Sequence, residues 1–160
     1  MKGDLEVIKV LGSVLTAELT SVNQYFLHAE ICENWKFLGL AGRIRKEAID
    51  EMKHAEALIE RVLYLDGMPD VQSYSPIRIG KDVPQMFTND LALEQDAVKR
   101  LNDGIQVCTQ RGDNGSRELL VSILQDEEEH VDWIEAQIHQ LQTLGLQNYL
   151  TTVVGSPDPK

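Results

Sequence analysis

One arrangement of glutamate and histidine occurs twice in this chain. A glutamate is followed 33 positions later by a Glu-x-x-His motif, and each member of the second copy lies 76 positions after its counterpart in the first. The first copy consists of Glu18, Glu51 and His54, and the second consists of Glu94, Glu127 and His130. Residues three apart on an α-helix share a face, so each motif presents a carboxylate beside an imidazole. Packing of the helices would therefore bring four carboxylates and two imidazoles together.

This convergence predicts a site for two metal ions. Glutamate is common in this acidic chain, and a single Glu-x-x-His motif on a solvated helix usually binds nothing. Two copies in register are hard to obtain by chance, and burying them without a metal would carry a high free-energy cost. The same ligand set, contributed by four helices, holds two metals in di-iron and di-manganese bundles. Iron or manganese suits carboxylate and imidazole ligands, whereas structural zinc sites more often contain thiolate.

Length and composition indicate one soluble globular domain. The chain has 160 residues, of which 42% are hydrophobic and 26% are charged. Charged residues interrupt every apolar stretch and the amino terminus lacks a secretory signal, so we expect no membrane span and a cytoplasmic location. A formal net charge of −11 argues against nucleic acid as a partner and suits a protein that attracts cations, although plain solubility explains the charge equally well.

Helical periodicity predicts four long helices and a short fifth one. Their approximate bounds are residues 5–34, 38–65, 83–110, 116–144 and 146–153. Ser116 is the expected N-cap of the fourth helix, and Gly145 is expected to end it. We assign residues 1–154 to one helical domain and expect the tail, residues 155–160, to be disordered.

The spacing of the motif residues also predicts the topology. In each helical hairpin the upstream glutamate and the motif glutamate lie 17 and 16 residues from the turn, so they come abreast at mid-length. The polar segment after the second helix is long enough to cross a bundle about 40 Å long, which makes the second and third helices parallel. A pseudo-twofold axis then relates the two hairpins. It places Cys32 and Cys108 at opposite ends of the bundle, too far apart for a disulfide.

Four segments of the chain resemble bacterioferritins. They are Asn-Gln-Tyr-Phe-Leu-His at 23–28, Ile-Asp-Glu-Met-Lys-His-Ala at 49–55, Leu-Glu-Gln at 93–95 and Glu-Glu-Glu-His-Val-Asp-Trp at 127–133. The resemblance extends from the amino terminus to about Leu150. It implies that residues 1–154 form a ferritin-like four-helix bundle with a di-iron site, a long crossover between helices 2 and 3 and a short fifth C-terminal helix.

The resemblance also implies iron storage and detoxification. Bacterioferritins form shells of 24 identical subunits, oxidise Fe(II) at a ferroxidase centre inside each subunit and store ferric mineral in the cavity. By matching positions, Glu18 and His54 are expected to be terminal ligands of one iron, Glu94 and His130 of the other, and Glu51 and Glu127 bridges between them. The substrates would be Fe(II) with O₂ or H₂O₂, and a ferredoxin is a candidate electron donor for iron release.

Met52 follows a motif glutamate directly and therefore points about 100° away from the metal site, towards the side of the bundle. A methionine at such a position is usually a packing residue. In bacterioferritins the matching methionine and its symmetry mate bind haem b at a twofold interface, so the resemblance favours Met52 as an axial haem ligand.

The predicted fifth helix gives a second reason to expect that several copies of the chain assemble. Leu146, Tyr149 and Leu150 give this helix an apolar face with no obvious partner within the chain, and copies meeting at a symmetry axis would cover that face.

Two aromatic side chains are expected near the predicted centre. Tyr25 lies two helical turns after Glu18 and so on the same face, and a redox or hydrogen-bonding role is as compatible with this position as plain packing. Trp133 lies one turn after His130, where packing is favoured over electron donation.

Charged residues near the predicted centre bear on iron transfer. Some bacterioferritins have a histidine in place of Lys46, which helps Asp50 hold iron on the inner surface, and a cationic Lys46 should disfavour that inner site. A run of acids, Glu128, Glu129 and Asp132, lines either an access path for iron or, more commonly for such a run, a solvated helix face.

Other functions use the same ligands and stay open. A di-iron peroxidase of the rubrerythrin type is one, although this chain has no Cys-rich rubredoxin-like segment. An oxygenase is another, and it would need a substrate cavity beside the metals. A haem-binding electron-transfer or structural subunit with a silent metal site is disfavoured because all six ligands are present. We expect oxidation of Fe(II), in which two metals bridged by carboxylates each give one electron.

Overall fold

The computed structural model describes residues 1–155, which form five α-helices and no β-strand. The helices are α1 (Leu5–Asn34), α2 (Leu38–Tyr64), α3 (Val83–Arg111), α4 (Asn114–Leu144) and α5 (Leu146–Thr151). Short turns join α1 to α2 and α3 to α4 as two hairpins, and α1 also packs against α3 and α2 against α4. The predicted four-helix bundle with a short fifth helix is confirmed. None of the helices in the described range could cross a membrane. Apart from Gly155, the tail predicted to be disordered lies outside the described residues.

Aspartates cap three of the four long helices. Asp4 accepts hydrogen bonds from the first turn of α1, and Asp82 does the same for α3. Asp113 accepts a hydrogen bond from the backbone N–H of Ser116, so α4 begins at Asn114. The prediction that Ser116 is the N-cap is therefore wrong, because an aspartate three residues earlier satisfies the free N–H groups. Gly145 does end α4, as expected.

Two clusters of buried apolar residues fill the bundle and leave a polar layer between them. The first, nearer α5, includes Tyr25, Phe87 and Tyr149 together with Cys32. The second is mainly aliphatic and includes Cys108. Both cysteines are buried and free, and they belong to different clusters, which agrees with their predicted placement at opposite ends of the bundle.

The crossover, residues 65–82, is held to α1 by side chains rather than by secondary structure. Three polar residues four positions apart on α1 each accept a hydrogen bond from a crossover backbone N–H, each at 2.9 Å. The pairs are Thr20 with Ser75, Gln24 with Arg78, and His28 with Gly80. This spacing places the three acceptors along one stripe of the helix, and the stripe satisfies backbone groups that an irregular segment would otherwise leave unpaired.

The short helix α5 closes one end of the bundle. Tyr149 is fully buried, packs edge-on against Phe87 and donates a hydrogen bond of 2.8 Å to Gln137. Just beyond α5, the carbonyl oxygen of Val153 accepts hydrogen bonds from two N–H groups at the start of α2, 3.0 Å from Gly39 and 3.3 Å from the next residue. Tyr149 and, in part, Leu150 thus have partners within the chain, whereas Leu146 is 42% exposed. The expectation that the apolar face of α5 lacked a partner is wrong for Tyr149 and Leu150, so this argument for assembly is left with Leu146 alone.

Candidate metal centre

The six residues singled out by the sequence converge in the polar layer between the two apolar clusters. Their ligand atoms form two groups, and within each group all atoms lie within 4.8 Å of one another. We call the first group the His54 position and the second the His130 position. Glu18 and His54 belong to the first, Glu94 and His130 belong to the second, and Glu51 and Glu127 belong to both.

His54 is surrounded by carboxylates on both edges of its ring. Its Nδ1 lies 3.3 Å from an oxygen of Glu18, 3.2 Å from one of Glu51 and 3.1 Å from one of Glu127. On the opposite edge, Nε2 lies 3.0 Å from Oδ2 of Asp126. Nδ1 is thus the atom that faces the metal position. Asp126 is a neighbour that the sequence analysis did not single out.

His130 has a different environment. Its Nδ1 lies 2.9 Å from Oε1 of Glu94 and 3.7 Å from Oε2 of Glu47. The imidazole stacks on Trp133 at an interplanar angle of 24°, and the ring of Tyr25 meets it edge-on. Two aromatic rings therefore fix the plane of the His130 ring, whereas a carboxylate bonds the outer edge of the other histidine.

Burial makes the cluster hard to ionise. The four ligand carboxylates are each at most 2% exposed. Burial raises the pKa of all four, since a low dielectric disfavours the charged form, and neighbouring carboxylates raise each pKa further. The pKa of Glu127 is raised to about 7. Burial lowers the pKa of the two histidines, but their close contacts with the negatively charged carboxylates outweigh it and raise both pKa values. Protons therefore neutralise part of the cluster when no metal does.

Three atoms of the predicted ligands are buried without a hydrogen-bond partner, which shows whether the site suits a metal ion. They are Oε2 of Glu94, Oε1 of Glu127 and Nδ1 of His130. Nδ1 of His130 lies within ion-pair distance of Glu94, and Oε1 of Glu127 within that of His54. Neither contact has the angles of a hydrogen bond. A buried polar atom left unpaired costs about 1–3 kcal/mol. Coordinated cations would satisfy all three, and the oxygen and imidazole donors suit iron or manganese.

Tyr25 is also part of this layer. It is fully buried and donates a hydrogen bond to Oε1 of Glu94. Burial raises its pKa, as do the charges of Glu94 and Asp90, so the phenol keeps its proton. Asp90, one turn before Glu94, accepts a 2.8 Å hydrogen bond from Gln24 and lies 2.9 Å from Nδ1 of His28. A second buried polar network thus links the crossover to the neighbourhood of the metal centre.

A cavity of about 350 Å³ between α2 and α4 reaches the centre from outside the bundle. Its lining residues are Arg43, Lys46, Glu47, Asp50, Glu51, Lys53, His54, Asp126, Glu127, Glu129 and His130. Of the three acidic residues considered for an access path, only Glu129 lines this cavity. Glu128 and Asp132 are exposed elsewhere on α4, which agrees with the solvated helix face favoured for such a run.

Met52 lies on the outer face of α2, away from the cluster. Its side chain is 48% exposed, which agrees with the predicted direction. Other large apolar residues of the first hairpin are exposed as well, namely Leu27, Ile49, Leu63 and Tyr64. In the second hairpin, Leu144 is the one exposed residue of this kind among residues 83–144.

Comparison with known proteins gives one consistent result. A family model described as a ferritin-like domain matches residues 8–144. The bacterioferritin of Mycobacterium leprae (strain TN) is 44% identical over 98% of this chain and 99% of its own length. Bacterioferritin BfrA of Mycobacterium tuberculosis (strain H37Rv) is 43% identical with the same coverage, and the bacterioferritin of Streptomyces coelicolor is 44% identical over 99% of this chain and 96% of its own. The chain therefore belongs to the ferritin-like family and, within it, to the bacterioferritins.

Proposed function

We propose that this protein stores iron by oxidising Fe(II) to Fe(III) at the six-residue centre and depositing the ferric product inside a closed shell of 24 copies. The observation that carries the proposal is that Glu51 and Glu127 belong to both groups of ligand atoms. Carboxylates shared in this way hold two metals about 3.5–4 Å apart. At that separation one molecule of oxidant can take an electron from each metal.

The chain's own residues prepare the reaction by holding charge in place. Bound as substrate, two Fe(II) ions supply the two electrons that reduce O₂ or H₂O₂. The four buried carboxylates favour Fe(III) over Fe(II) because the higher charge interacts more strongly with them at low dielectric. His54 and His130 complete the ligand set as neutral donors. Tyr25 holds one oxygen of Glu94 by its hydrogen bond, which leaves the other oxygen, Oε2, for metal.

The cavity beside the centre favours ions over an organic substrate. Every residue that lines it is acidic, basic or histidine. A site for an organic molecule is usually lined mainly by apolar and aromatic side chains. The cavity therefore suits the passage of Fe(II) and small oxidants and disfavours the oxygenase alternative.

Stopped-flow absorbance tests the oxidation step. Adding two Fe(II) per chain under air should produce a fast phase in the wild type that Glu18→Ala and His130→Ala each remove, since each loses a terminal ligand. Glu60→Ala is the control, because this exposed glutamate lies on α2 but outside the cluster. A doubly substituted chain, Glu18→Ala with His130→Ala, that oxidised Fe(II) at the wild-type rate would overturn the proposal. Oxidation of an added organic substrate by the protein would favour the oxygenase alternative instead.

The shell and haem b form the second part of the proposal. Met52 and Ile49 are exposed one helical turn apart on α2, which supports an interface between two copies, in which two identical thioethers would supply the axial ligands of one haem. Haem titration followed by visible absorbance should show uptake that Met52→Leu abolishes. Met68→Leu is the matched control, because Met68 is 85% exposed in the crossover. Undiminished haem uptake by Met52→Leu would mean that the haem binds elsewhere. Light scattering that found only monomers would contradict the proposed shell.

Release of iron by an electron-donor ferredoxin is proposed on family resemblance alone, and the cytoplasmic location is a proposal carried over from the sequence analysis. If a purified, reduced ferredoxin failed to accelerate iron release from the mineral, the proposed role of the ferredoxin would be wrong.

A further inference from the structure

The 76-residue offset that relates the six ligands also relates two carboxylates outside the ligand set. Asp50 on α2 and Asp126 on α4 lie 76 positions apart, each one residue before a shared ligand. The repeat therefore predicts equivalent roles, with Asp126 beside His54 and Asp50 beside His130. The structure shows that only one of these contacts is made.

Asp126 occupies the outer edge of the His54 ring. The 3.0 Å contact between Nε2 and Oδ2 requires the ring to carry its proton on Nε2, where it is donated to the carboxylate. Nδ1, which faces Glu18, Glu51 and Glu127, is then the ring nitrogen left to bind a metal once it has lost its own proton. A carboxylate behind a histidine ligand fixes its tautomer and orientation and increases its basicity.

Asp50 makes no such contact. One of its carboxylate oxygens accepts a hydrogen bond of 2.9 Å from Lys46 and the other accepts one of 2.9 Å from Lys53. Both oxygens are therefore occupied by ammonium groups of the same helix. Within residues 1–155, no hydrogen bond reaches Nε2 of His130.

The basic residues of α2 extend this difference. Arg43 pairs with Glu47 at 2.6 Å, so the extra carboxylate near His130 is also neutralised. The positions equivalent to Arg43, Lys46 and Lys53 in the second hairpin are Leu119, Ser122 and Glu129, none of which is basic. The two outer carboxylates on the His130 side are thus paired with cations, whereas the ion pair of Asp126 is with His54 itself.

We propose that Asp126 is a positioning residue for His54, that the His130 position lacks its equivalent, and that the His54 position therefore binds divalent metal more tightly. The inference rests on the proposed di-iron centre and adds to it an order of filling. The two positions, although built from equivalent ligands, are loaded one after the other.

Titration of the metal-free assembled protein with Co(II), followed by its visible absorption, tests this order without relying on turnover. The wild type should bind two Co(II) per chain in two steps, and the tighter step should vanish in His54→Ala but persist in His130→Ala. Asp126→Ala should weaken the tighter step by about tenfold, the lower end of what loss of such an outer partner causes. Asp126→Asn, which keeps an acceptor oxygen but no charge, should weaken it less.

Asp50→Ala is the matched control, because it changes the equivalent residue of the other hairpin, and it should leave the tighter step unchanged. Asp126 is mostly exposed, so circular dichroism should show every variant of it folded. Two equal Co(II) sites in the wild type, or equal effects of Asp126→Ala and Asp50→Ala, would overturn the inference and leave the di-iron centre standing. Failure of the wild type to bind two Co(II) would instead overturn the proposed function.

Discussion

The two hairpins of the bundle carry the same metal ligands but differ in nearly everything around them. Both place a glutamate opposite a Glu-x-x-His motif, and both make their turn through a residue with positive φ, 66° at Lys36 and 72° at Gly112. The second hairpin caps its second helix with an aspartate side chain, whereas the first uses no side chain for this. All basic residues that line the cavity lie on the first hairpin, which also has most of the exposed large apolar residues of the two hairpins. The repeat is thus kept at the six ligand positions, whereas the positions around them differ between the hairpins.

The largest expected effect is on metal stoichiometry, and it distinguishes the ligands shared by the two metal positions from those that belong to one position. Glu51→Gln or Glu127→Gln should abolish tight binding at both positions, because each carboxylate belongs to both groups. Glu18→Gln or Glu94→Gln should each leave one Co(II) per chain. Equilibrium dialysis gives the stoichiometry. If all four variants bound the same amount of metal, the division into shared and unshared ligands would be wrong.

The next effect concerns α5, which follows the second hairpin and has no counterpart after the first. Tyr149→Ala should lower the free energy of unfolding by about 3–5 kcal/mol, because it empties a large buried site. Tyr149→Phe should cost only about 1 kcal/mol, the value of the hydrogen bond to Gln137. Chemical denaturation measures both. Leu146→Ala is the control, since this neighbour is 42% exposed and its loss should change little.

The pH dependence of the metal-free protein tests the shared ligands again. The pKa of Glu127 in the folded chain, about 7, lies above its ordinary value of 4.5. Folding therefore favours the protonated form, and stability that is present below pH 4.5 should be lost as the pH rises through about 7. The loss should be on the order of 1–3 kcal/mol. Thermal unfolding at pH 5 and pH 8 measures it.

Glu127→Gln is the control for this titration, because it cannot ionise and should flatten the pH dependence. Bound metal should also flatten it, because coordination keeps the carboxylate ionised, and metal binding near pH 6.5 should release protons. An unchanged slope in Glu127→Gln would assign the pH dependence to other groups.

The smallest expected effect compares the two turns directly. Lys36 and Gly112 are 76 positions apart and share a left-handed backbone, which costs a residue with a side chain about 1–2 kcal/mol. Lys36→Gly should therefore stabilise the chain by up to about 1 kcal/mol, and Gly112→Ala should destabilise it by a similar amount. Denaturation midpoints measure both changes. A destabilising Lys36→Gly would mean that the lysine side chain contributes more than its backbone strain costs.

Much of the fold and the central ligand set followed from the sequence because periodicity and spacing are local properties. Each helix boundary, including the start of α3 at Val83, fell within a few residues of its predicted place, and the 76-residue offset identified six side chains that do converge. The offset also relates Asp50 to Asp126. The pairing of Asp50 with Lys46 and Lys53 follows from their i,i+4 and i,i+3 spacing on one helix. The contact of Asp126 with His54 joins two helices, and no local spacing predicts it.

Other features could not be predicted because they depend on distant parts of the chain. The cap of α2 is a carbonyl more than a hundred residues away, at Val153. Burial of Tyr149 required the direction in which α5 leaves Gly145, a residue whose positive φ, 79°, the sequence alone does not specify. The stripe of Thr20, Gln24 and His28 had a visible four-residue spacing, but its partners are backbone groups of an irregular segment.

The bond from Val153 to the start of α2 has a consequence for how the chain acquires its fold during synthesis. The N–H groups of residues 39 and 40 are made more than a hundred residues before the carbonyl that accepts their hydrogen bonds. The first hairpin can therefore form early but keeps an open helix end until Val153 has been made. Truncation before Val153 would leave that end open, so completion of the first helical hairpin depends on a segment that follows the second one.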